Sequence, residues 1–280
     1  MKCPLCYHNN KNVSLIILSD LKKKAELQEC MNCGLQYLID IKKSRKHVYN
    51  ENYSVWGKDE AENEKAIEDS KKTQFKYLLK RLEKYARLRN KTILDIGTGR
   101  GYMLDVAKKM GMKVYGLELS KYASGIAAKK FPGKIFNSEI GSLKTNMKFD
   151  IITMTDLVEH LPNIGKDFNK ISGLLKPKGH LIITTPNTDS ITKTIFGKNW
   201  FQYKFEHVVY FNKKSIQYML KGYDIKESGY NTKLLKIAYY KLYMKKYSSP
   251  QLLQILPKSM DDKVITNPMV GELLVIAQKH

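Results

Sequence analysis

The chain is 280 residues long and 42% hydrophobic, with 49 lysines and arginines against 27 aspartates and glutamates, a formal net charge of +22. That length suits one α/β domain plus a small module, and that hydrophobic fraction suits a globular protein. No apolar run approaches the ~20 residues that span a membrane, and Met1-Lys2-Cys3-Pro4 lacks the apolar core of a secretory leader, so a cytoplasmic location is expected. The basic excess is almost all lysine; the arginines are Arg45, Arg81, Arg87, Arg89 and Arg100. Arginine is the usual choice for bidentate phosphate and base contacts, so a lysine excess spread along the chain reads as compositional bias, and nucleic acid is not the favoured partner.

Residues 1–40 hold all four cysteines, in Cys3-Pro4-Leu5-Cys6 and Cys30-Met31-Asn32-Cys33-Gly34. Two Cys-x-x-Cys knuckles supply four thiolates to one tetrahedral zinc, so this stretch reads as a zinc ribbon with a structural Zn2+ on Cys3, Cys6, Cys30 and Cys33. Strand-like runs at 13–18 and 35–39 pack around the metal, and the connection between the knuckles has room for a hairpin. A pair of disulfides is the rival, and a cytosolic chain disfavours it. Residues 41–72 are polar and charged. They read as a linker whose Tyr49, Tyr53 and Trp56 pack on the main domain, or as a lid over its site. Phe75, Leu78, Leu79, Leu82 and Tyr85 then recur at helical spacing, which predicts a helix over 71–89.

The centre of the chain is Lys91-Thr92-Ile93-Leu94-Asp95-Ile96-Gly97-Thr98-Gly99-Arg100-Gly101. An apolar strand at 92–96 ends in a glycine-rich turn, and a helical pattern follows from Tyr102. A second strand at 113–118 ends in Glu118, 21 positions after Gly97, the interval at which nucleotide-binding α/β folds place a carboxylate on the ribose hydroxyls. The turn reads Gly-x-Gly-x-Gly, and no Gly-Lys-Ser/Thr element follows, so a P-loop is excluded. With Asp95 just before it, such a turn suits a cofactor with a ribose, an adenine and a cationic amino-acid tail, and no pyrophosphate.

A helix over 121–130 and a short third strand near 134–137 follow. Strand four, 149–154, is apolar on both faces, as a buried parallel strand is. Thr155-Asp156-Leu157-Val158-Glu159-His160-Leu161-Pro162 lies beyond its carboxyl end, where open parallel sheets bind ligands. A helix over 165–175 and a strand over 179–185 come next. The stretch 186–212 is an aromatic insertion with Phe196, Trp200, Phe201, Tyr203, Phe205, Tyr210 and Phe211, and with Glu206-His207 inside it. Its aromatics either stack on an acceptor ring or form a satellite core. A helix over 213–221 and a sixth strand over 223–228 follow. Residues 232–258 read as a helical insertion: Leu235, Ala238, Tyr239 and Leu242 form a stripe flanked by lysines. Its 232–246 portion packs on the domain or makes peripheral membrane contact. The last strand is 271–277.

The segment Leu94-Asp95-Ile96-Gly97-Thr98-Gly99-Arg100-Gly101 resembles the first motif of class I S-adenosylmethionine-dependent methyltransferases. Gly116-Leu117-Glu118-Leu119-Ser120 resembles the ribose-binding second motif. Phe149-Asp150-Ile151-Ile152 through Pro162 resembles the fourth, and Leu174 through Ile183 resembles the fifth strand with its loop. Thr185-Pro186-Asn187, Glu206-His207 and Phe211 are similar to the ubiquinone-biosynthesis-like and polysaccharide-cluster methyltransferases that carry a zinc ribbon. The resemblance implies a Rossmann-like α/β fold over 73–280: a seven-stranded sheet whose last strand is antiparallel. It implies S-adenosylmethionine as cofactor. Asp95, Gly97, Thr98, Gly99 and Gly101 would hold its methionine portion, Glu118 and Leu119 its ribose, Ser138 and Glu139 its adenine edge, and Thr155 and Asp156 its methionine end. His207 and His160 are the candidate bases for a hydroxyl acceptor. Some related enzymes also use a divalent metal at the acceptor.

The expected reaction is O-methylation of a small hydroxylated acceptor, a sugar, glycan precursor or similar metabolite. Two readings stand beside it. Ribosomal guanine methyltransferases also pair a Cys-Pro-Leu-Cys ribbon with this fold, though without the Glu-His-Leu-Pro segment, which leaves RNA as an alternative acceptor. A cofactor-binding scaffold without turnover is the other.

Overall fold

The computed structural model describes residues 2–9, 13–18, 23–39, 64–241, 257–267 and 271–280. Tyr49, Tyr53 and Trp56 of the expected linker or lid lie outside these residues.

The N-terminal strands are β1 (Val13–Leu18), β2 (Lys23–Glu29) and β3 (Gln36–Leu38). They run antiparallel in that order. Strand β2 is the hairpin partner for which the sequence left room. Helix α1 (Glu64–Leu82) follows. It starts earlier and ends earlier than the 71–89 helix expected from its apolar spacing. Its charged first turns are fixed by ion pairs. Glu64 meets Arg100 at 2.8 Å, and Lys72 bridges Glu68 and Asp105, the latter at 2.7 Å. At its far end the Leu82 carbonyl accepts from Tyr85 and Ala86 in a closing turn.

The catalytic-scale scaffold comes next: β4 (Thr92–Ile96), α2 (Tyr102–Lys109), β5 (Lys113–Leu117), α3 (Lys121–Lys130), β6 (Ile135–Phe136), β7 (Phe149–Thr155), α4 (Ile164–Leu174), β8 (Leu175–Pro186), α5 (Ile191–Phe196), β9 (Val209–Tyr210), α6 (Lys213–Met219), β10 (Tyr223–Tyr230), β11 (Lys233–Lys236), β12 (Val264–Asn267) and β13 (Glu272–Lys279). Among the described residues seven strands form the main sheet, in the order β10-β13-β8-β7-β4-β5-β6. The β8-β7-β4-β5-β6 core is parallel, and β13 is antiparallel to both of its neighbours.

Alternation along each strand sends side chains into two cores. Leu94, Ile152, Met154, Leu181, Ile183 and Val275 face α4, whose Ile164, Phe168 and Ile171 meet them. Ile93, Ile151, Ile182, Leu274 and Ile276 face α1 and α2 through Leu78, Leu79, Leu82, Met103 and Leu104. Gly116 on β5 sits where the sheet has no room. A Cβ there would lie 2.6 Å from Thr98 Cγ2 and 3.0 Å from Ile135 Cδ1. Gly116→Ala should therefore cost about 1–3 kcal/mol by overpacking, read as a lower melting temperature in calorimetry. An unchanged melting temperature would mean that β5 and the glycine turn separate freely.

Residues 233–236 correct the helical reading of the insertion. They form β11, paired with β12. The Lys-Leu-Leu-Lys order of that tetrapeptide is too short to mark strand or helix, and α1 decides between them. Ser70 and Gln74, one helical turn apart, accept from the backbone N–H groups of Lys236 and Leu234. Helix begins only at residue 237 and is described to 241. Leu242 of the proposed stripe, and the 232–246 portion beyond residue 241, lie outside the described residues. No helix among the described residues is long and apolar enough to cross a membrane.

The aromatic insertion builds a third core. Trp200, Tyr203 and Tyr210 are buried with Ile16, Leu18, Leu27 and Leu38 of the N-terminal strands. Trp200 is fully buried and its Nε1 donates to Thr192 Oγ1 at 3.0 Å, so it is a core residue and not a stacking platform. Strand β9 joins the N-terminal sheet beside β3, pairing Tyr37 with Val209. The N-terminal sheet thus includes residues from the middle of the chain.

Candidate active site

The cofactor side lies at the carboxyl ends of β4 and β5. Gly97, Gly99 and Gly101 all have positive φ (76°, 56° and 83°), a conformation that side chains with a Cβ resist. The turn closes by Gly101 N–H donating to the Thr98 carbonyl, and Gly97 and Thr98 both donate to the Leu117 carbonyl. The Glu118 carboxylate anchors the turn. One oxygen accepts from Gly99 N and the other from Ser120 N, both at 2.8 Å. A Cβ at Gly99 would meet nothing within 4 Å, which leaves open space against the turn for a ligand. A ribose beside Glu118 and a methionine tail beside the turn fit this arrangement.

Asp95 is buried at 3% exposure and turns inward, accepting from Thr153 Oγ1 at 2.6 Å. Burial pushes its carboxyl up to about 7 despite that hydrogen bond. Leu119 is exposed after β5. Ser138 and Glu139 lie on the surface after β6, with the Ser138 hydroxyl donating to the Glu139 carbonyl. Asn137, which the sequence did not single out, ties that loop to the site by donating to the Glu118 and Leu119 carbonyls at 2.8 and 3.0 Å.

The acceptor side lies at the carboxyl ends of β7 and β8. Thr155 closes β7, and Asp156 follows with φ 52°. Its backbone N–H and one carboxylate oxygen both engage Thr184. Lys233 Nζ bridges Asp156 Oδ2 at 2.8 Å and Glu272 Oε2 at 2.9 Å. Asn231 Nδ2 also donates to Glu272. Burial pushes the Asp156 carboxyl up, but Lys233 and Lys71 outweigh it and hold the group well below the usual carboxylate range. Lys71, Lys233 and Glu272 were invisible as site residues, because they come from α1, β11 and β13, far apart in sequence.

Glu159, His160 and His207 converge behind Asp156. One ligand atom from each lies within 4.8 Å of the others, a Glu-His-His donor set that a divalent cation accepts. The two imidazole rings stand edge to face, with centroids 4.9 Å apart. His160 Nδ1 lies 2.9 Å from the Glu206 carbonyl, and His207 Nδ1 lies 2.9 Å from the Gln202 carbonyl. A carbonyl only accepts, so both Nδ1 atoms carry the proton and both Nε2 atoms carry the lone pair. Glu159 is 1% exposed and accepts from Thr185 Oγ1 at 3.0 Å. Burial, then the neighbouring Asp156 charge, raises its carboxyl well above the usual range.

Burial, then the neighbouring His160, lowers His207 well below the usual imidazole range, so it stays neutral in the fold. An unfolded chain takes up that proton below about pH 6.5. The unfolded state then binds more protons than the native one, so stability falls as pH drops through that value, by at most about 1.4 kcal/mol per pH unit for one group. Melting temperatures measured above and below that pH should show the drop, and His207→Gln should flatten it. An equal drop in the variant would assign the acid sensitivity to other groups.

Cys3, Cys6, Cys30 and Cys33 form one cluster with every Sγ within 4.8 Å of the others. The Cys3–Cys33 and Cys6–Cys30 sulfur separations are 3.6 and 3.4 Å, and no disulfide forms among them. A tetrahedron of thiolates about 2.3 Å from one zinc places its sulfurs about 3.8 Å apart, so the donor set fits that ion. Each knuckle closes as a tight turn, with Tyr7 N–H donating to the Cys3 carbonyl and Gly34 N–H to the Cys30 carbonyl.

A family model described as a methyltransferase domain matches residues 70–226. Ubiquinone biosynthesis O-methyltransferase of Coxiella burnetii is 31% identical over 115 residues, which is 39% of this chain and 49% of that protein. The enzyme of the same name from Paraburkholderia phytofirmans is 28% identical over 116 residues, 39% of this chain and 50% of that protein. The match thus spans about half the length of these curated relatives. Magnesium protoporphyrin IX methyltransferase from Synechocystis, solved with bound SAH, superposes with a TM-score of 0.52 at 14% identity, covering 86% of this chain and 95% of that one. With the sheet order, the glycine turn and the family match in agreement, the chain belongs to the methyltransferase domain family and carries the Rossmann-like fold of its class I S-adenosylmethionine-dependent members.

Proposed function

We propose that the chain is an S-adenosylmethionine-dependent O-methyltransferase acting on a small hydroxylated acceptor, of the sugar, glycan-precursor or related metabolite class. The observation that carries this reading is the pair of neutral imidazoles beyond the carboxyl end of β7, close to Asp156. The curated relatives, named as O-methyltransferases, support oxygen as the atom methylated.

When bound, S-adenosylmethionine supplies an electrophilic methyl group on a sulfonium. Glu118 and the turn from Gly97 to Gly101 would hold its nucleoside and tail, and Asp156, its charge held by Lys233, would lie toward the cationic end. His207 Nε2 or His160 Nε2 would take the hydroxyl proton as an oxygen–carbon bond forms and the carbon–sulfur bond breaks to leave neutral S-adenosylhomocysteine, with each ring oriented by its Nδ1 hydrogen bond. Donor and acceptor held in line account for much of the rate, since positioning converts a bimolecular reaction into a local one.

Methyl-labelled S-adenosylmethionine incubated with the chain and a fractionated cell extract tests this reading. Label in the small-molecule or glycolipid fraction supports it. Label in RNase-sensitive material overturns it and assigns RNA as the acceptor. A steep fall of binding with salt would accompany that second outcome.

A further inference from the structure

Both cysteine knuckles are fastened to the two segments that carry the imidazole pair. In the first knuckle, the Pro4 carbonyl accepts from Gly165 N–H at 3.0 Å. The fit is close: a Cβ on Gly165 would lie 2.7 Å from the Leu5 carbonyl and 2.8 Å from Tyr7 Oη. Gly165 lies in the first turn of α4, shortly after Glu159-His160-Leu161-Pro162. In the second knuckle, Met31 O accepts from Lys214 Nζ at 3.1 Å, and Gly34 O accepts from Asn212 Nδ2 at 3.0 Å. Asn212 also caps α6. Between them, Leu38 N–H donates to the Val208 carbonyl at 3.0 Å, and Val208 N–H donates to the Glu159 carbonyl at 2.8 Å. Val208 follows His207, so one residue links the N-terminal sheet to both halves of the acceptor site.

The cysteines face the same way. Cys3, Cys30 and Cys33 are fully buried, in one core with Val158, Leu161, Val208 and Val209.

We propose that the four-thiolate site is a positioning clamp. Zinc bound by Cys3, Cys6, Cys30 and Cys33 holds the first knuckle against the His160 segment and the second against the His207 segment, and so sets the separation of the two imidazoles. The cysteines are positioning residues that act through Pro4, Gly34 and Leu38. The consequence for catalysis rests on the O-methyltransferase reading; the clamp itself does not.

The test is hydrogen exchange by mass spectrometry on the full chain, as isolated with its metal content measured, after zinc removal, and as Cys33→Ser. Calorimetric binding of S-adenosylmethionine is measured alongside. Exchange should rise about tenfold or more at 158–165 and 207–214 as well as at the knuckles, while 92–118 stays protected and cofactor affinity changes by less than about threefold. Three results would each overturn the clamp: exchange rising only within 2–39, loss of protection across the whole sheet together with cofactor binding, or absence of bound zinc from the isolated chain. Lys214→Ala leaves the thiolates and the Asn212 cap of α6 intact and cuts the second knuckle's bond from Lys214 to the Met31 carbonyl. It should keep its zinc and still loosen 207–214, and unchanged exchange there would count against the proposal. Failure of the O-methyltransferase reading leaves all of these exchange results as predicted, so the two fail separately.

Discussion

Glu118→Ala should bind S-adenosylmethionine on the order of a hundredfold more weakly than the parent chain, since loss of about 3 kcal/mol of charge-assisted hydrogen bonding costs about two decades in Kd. The side chain has two tasks. It closes the glycine turn by accepting from Gly99 and Ser120. It also stands just past β5, where the proposed site would place the ribose. Glu118→Gln separates them, because the amide oxygen still accepts one backbone bond while the negative charge is gone. Calorimetric titration should place Gln between the parent and Ala. Affinities within a few-fold of the parent for both variants would remove Glu118 from the cofactor site.

His207→Gln should lower the methyl-transfer rate by about 10²–10⁴, the usual span of general base catalysis, with cofactor affinity unchanged. His207 is favoured over His160 as the larger effect because its ring is the more completely buried, so solvent replaces it less readily as a base. Gln keeps the ring's approximate volume and a hydrogen-bonding end, so packing against Tyr210 and His160 survives. Steady-state kinetics on any accepted substrate reads the split: kcat falls and the cofactor KM stays. A rate near that of the parent for both His207→Gln and His160→Gln would leave the pair a purely structural role.

The main sheet was legible in the sequence because each buried strand is a short apolar run between turn signals. Ile93-Leu94, Ile151-Ile152 and Leu273-Leu274-Val275-Ile276 read unambiguously. The cofactor turn was legible because its glycines sit at positive φ, where other residues are strained. The N-terminal half of α1 was not legible. Its first two turns are charged, and ion pairs to Arg100 and Asp105, with burial of Ile67 and Ser70, hold them as helix. Strand β11 was misread because Lys233-Leu234-Leu235-Lys236 lacks the alternation of a strand, and the partner that decides it, β12, lies beyond residue 256.

The ambiguity at Trp200 had the same origin. An aromatic-rich stretch shows that something large is covered, but not whether a ligand or the chain's own strands cover it. Tyr37 beside Val209 is a contact between residues 172 apart, set by tertiary packing alone. The acceptor side was half legible. Asp156, Glu159 and His160 are adjacent in sequence, and His207 was recoverable from the Glu-His pair. Lys233 and Lys71 carry no local signature, yet they hold the Asp156 carboxylate ionised beside the other buried acids.

The most direct test of the account is a crystal structure of the chain with S-adenosylhomocysteine. The account predicts the ribose hydroxyls on the Glu118 carboxylate, the amino-acid tail along the turn from Gly97 to Gly101, and the sulfur facing Asp156 and the His160–His207 pair. A nucleoside bound elsewhere, or a sulfur turned away from the two imidazoles, would contradict it.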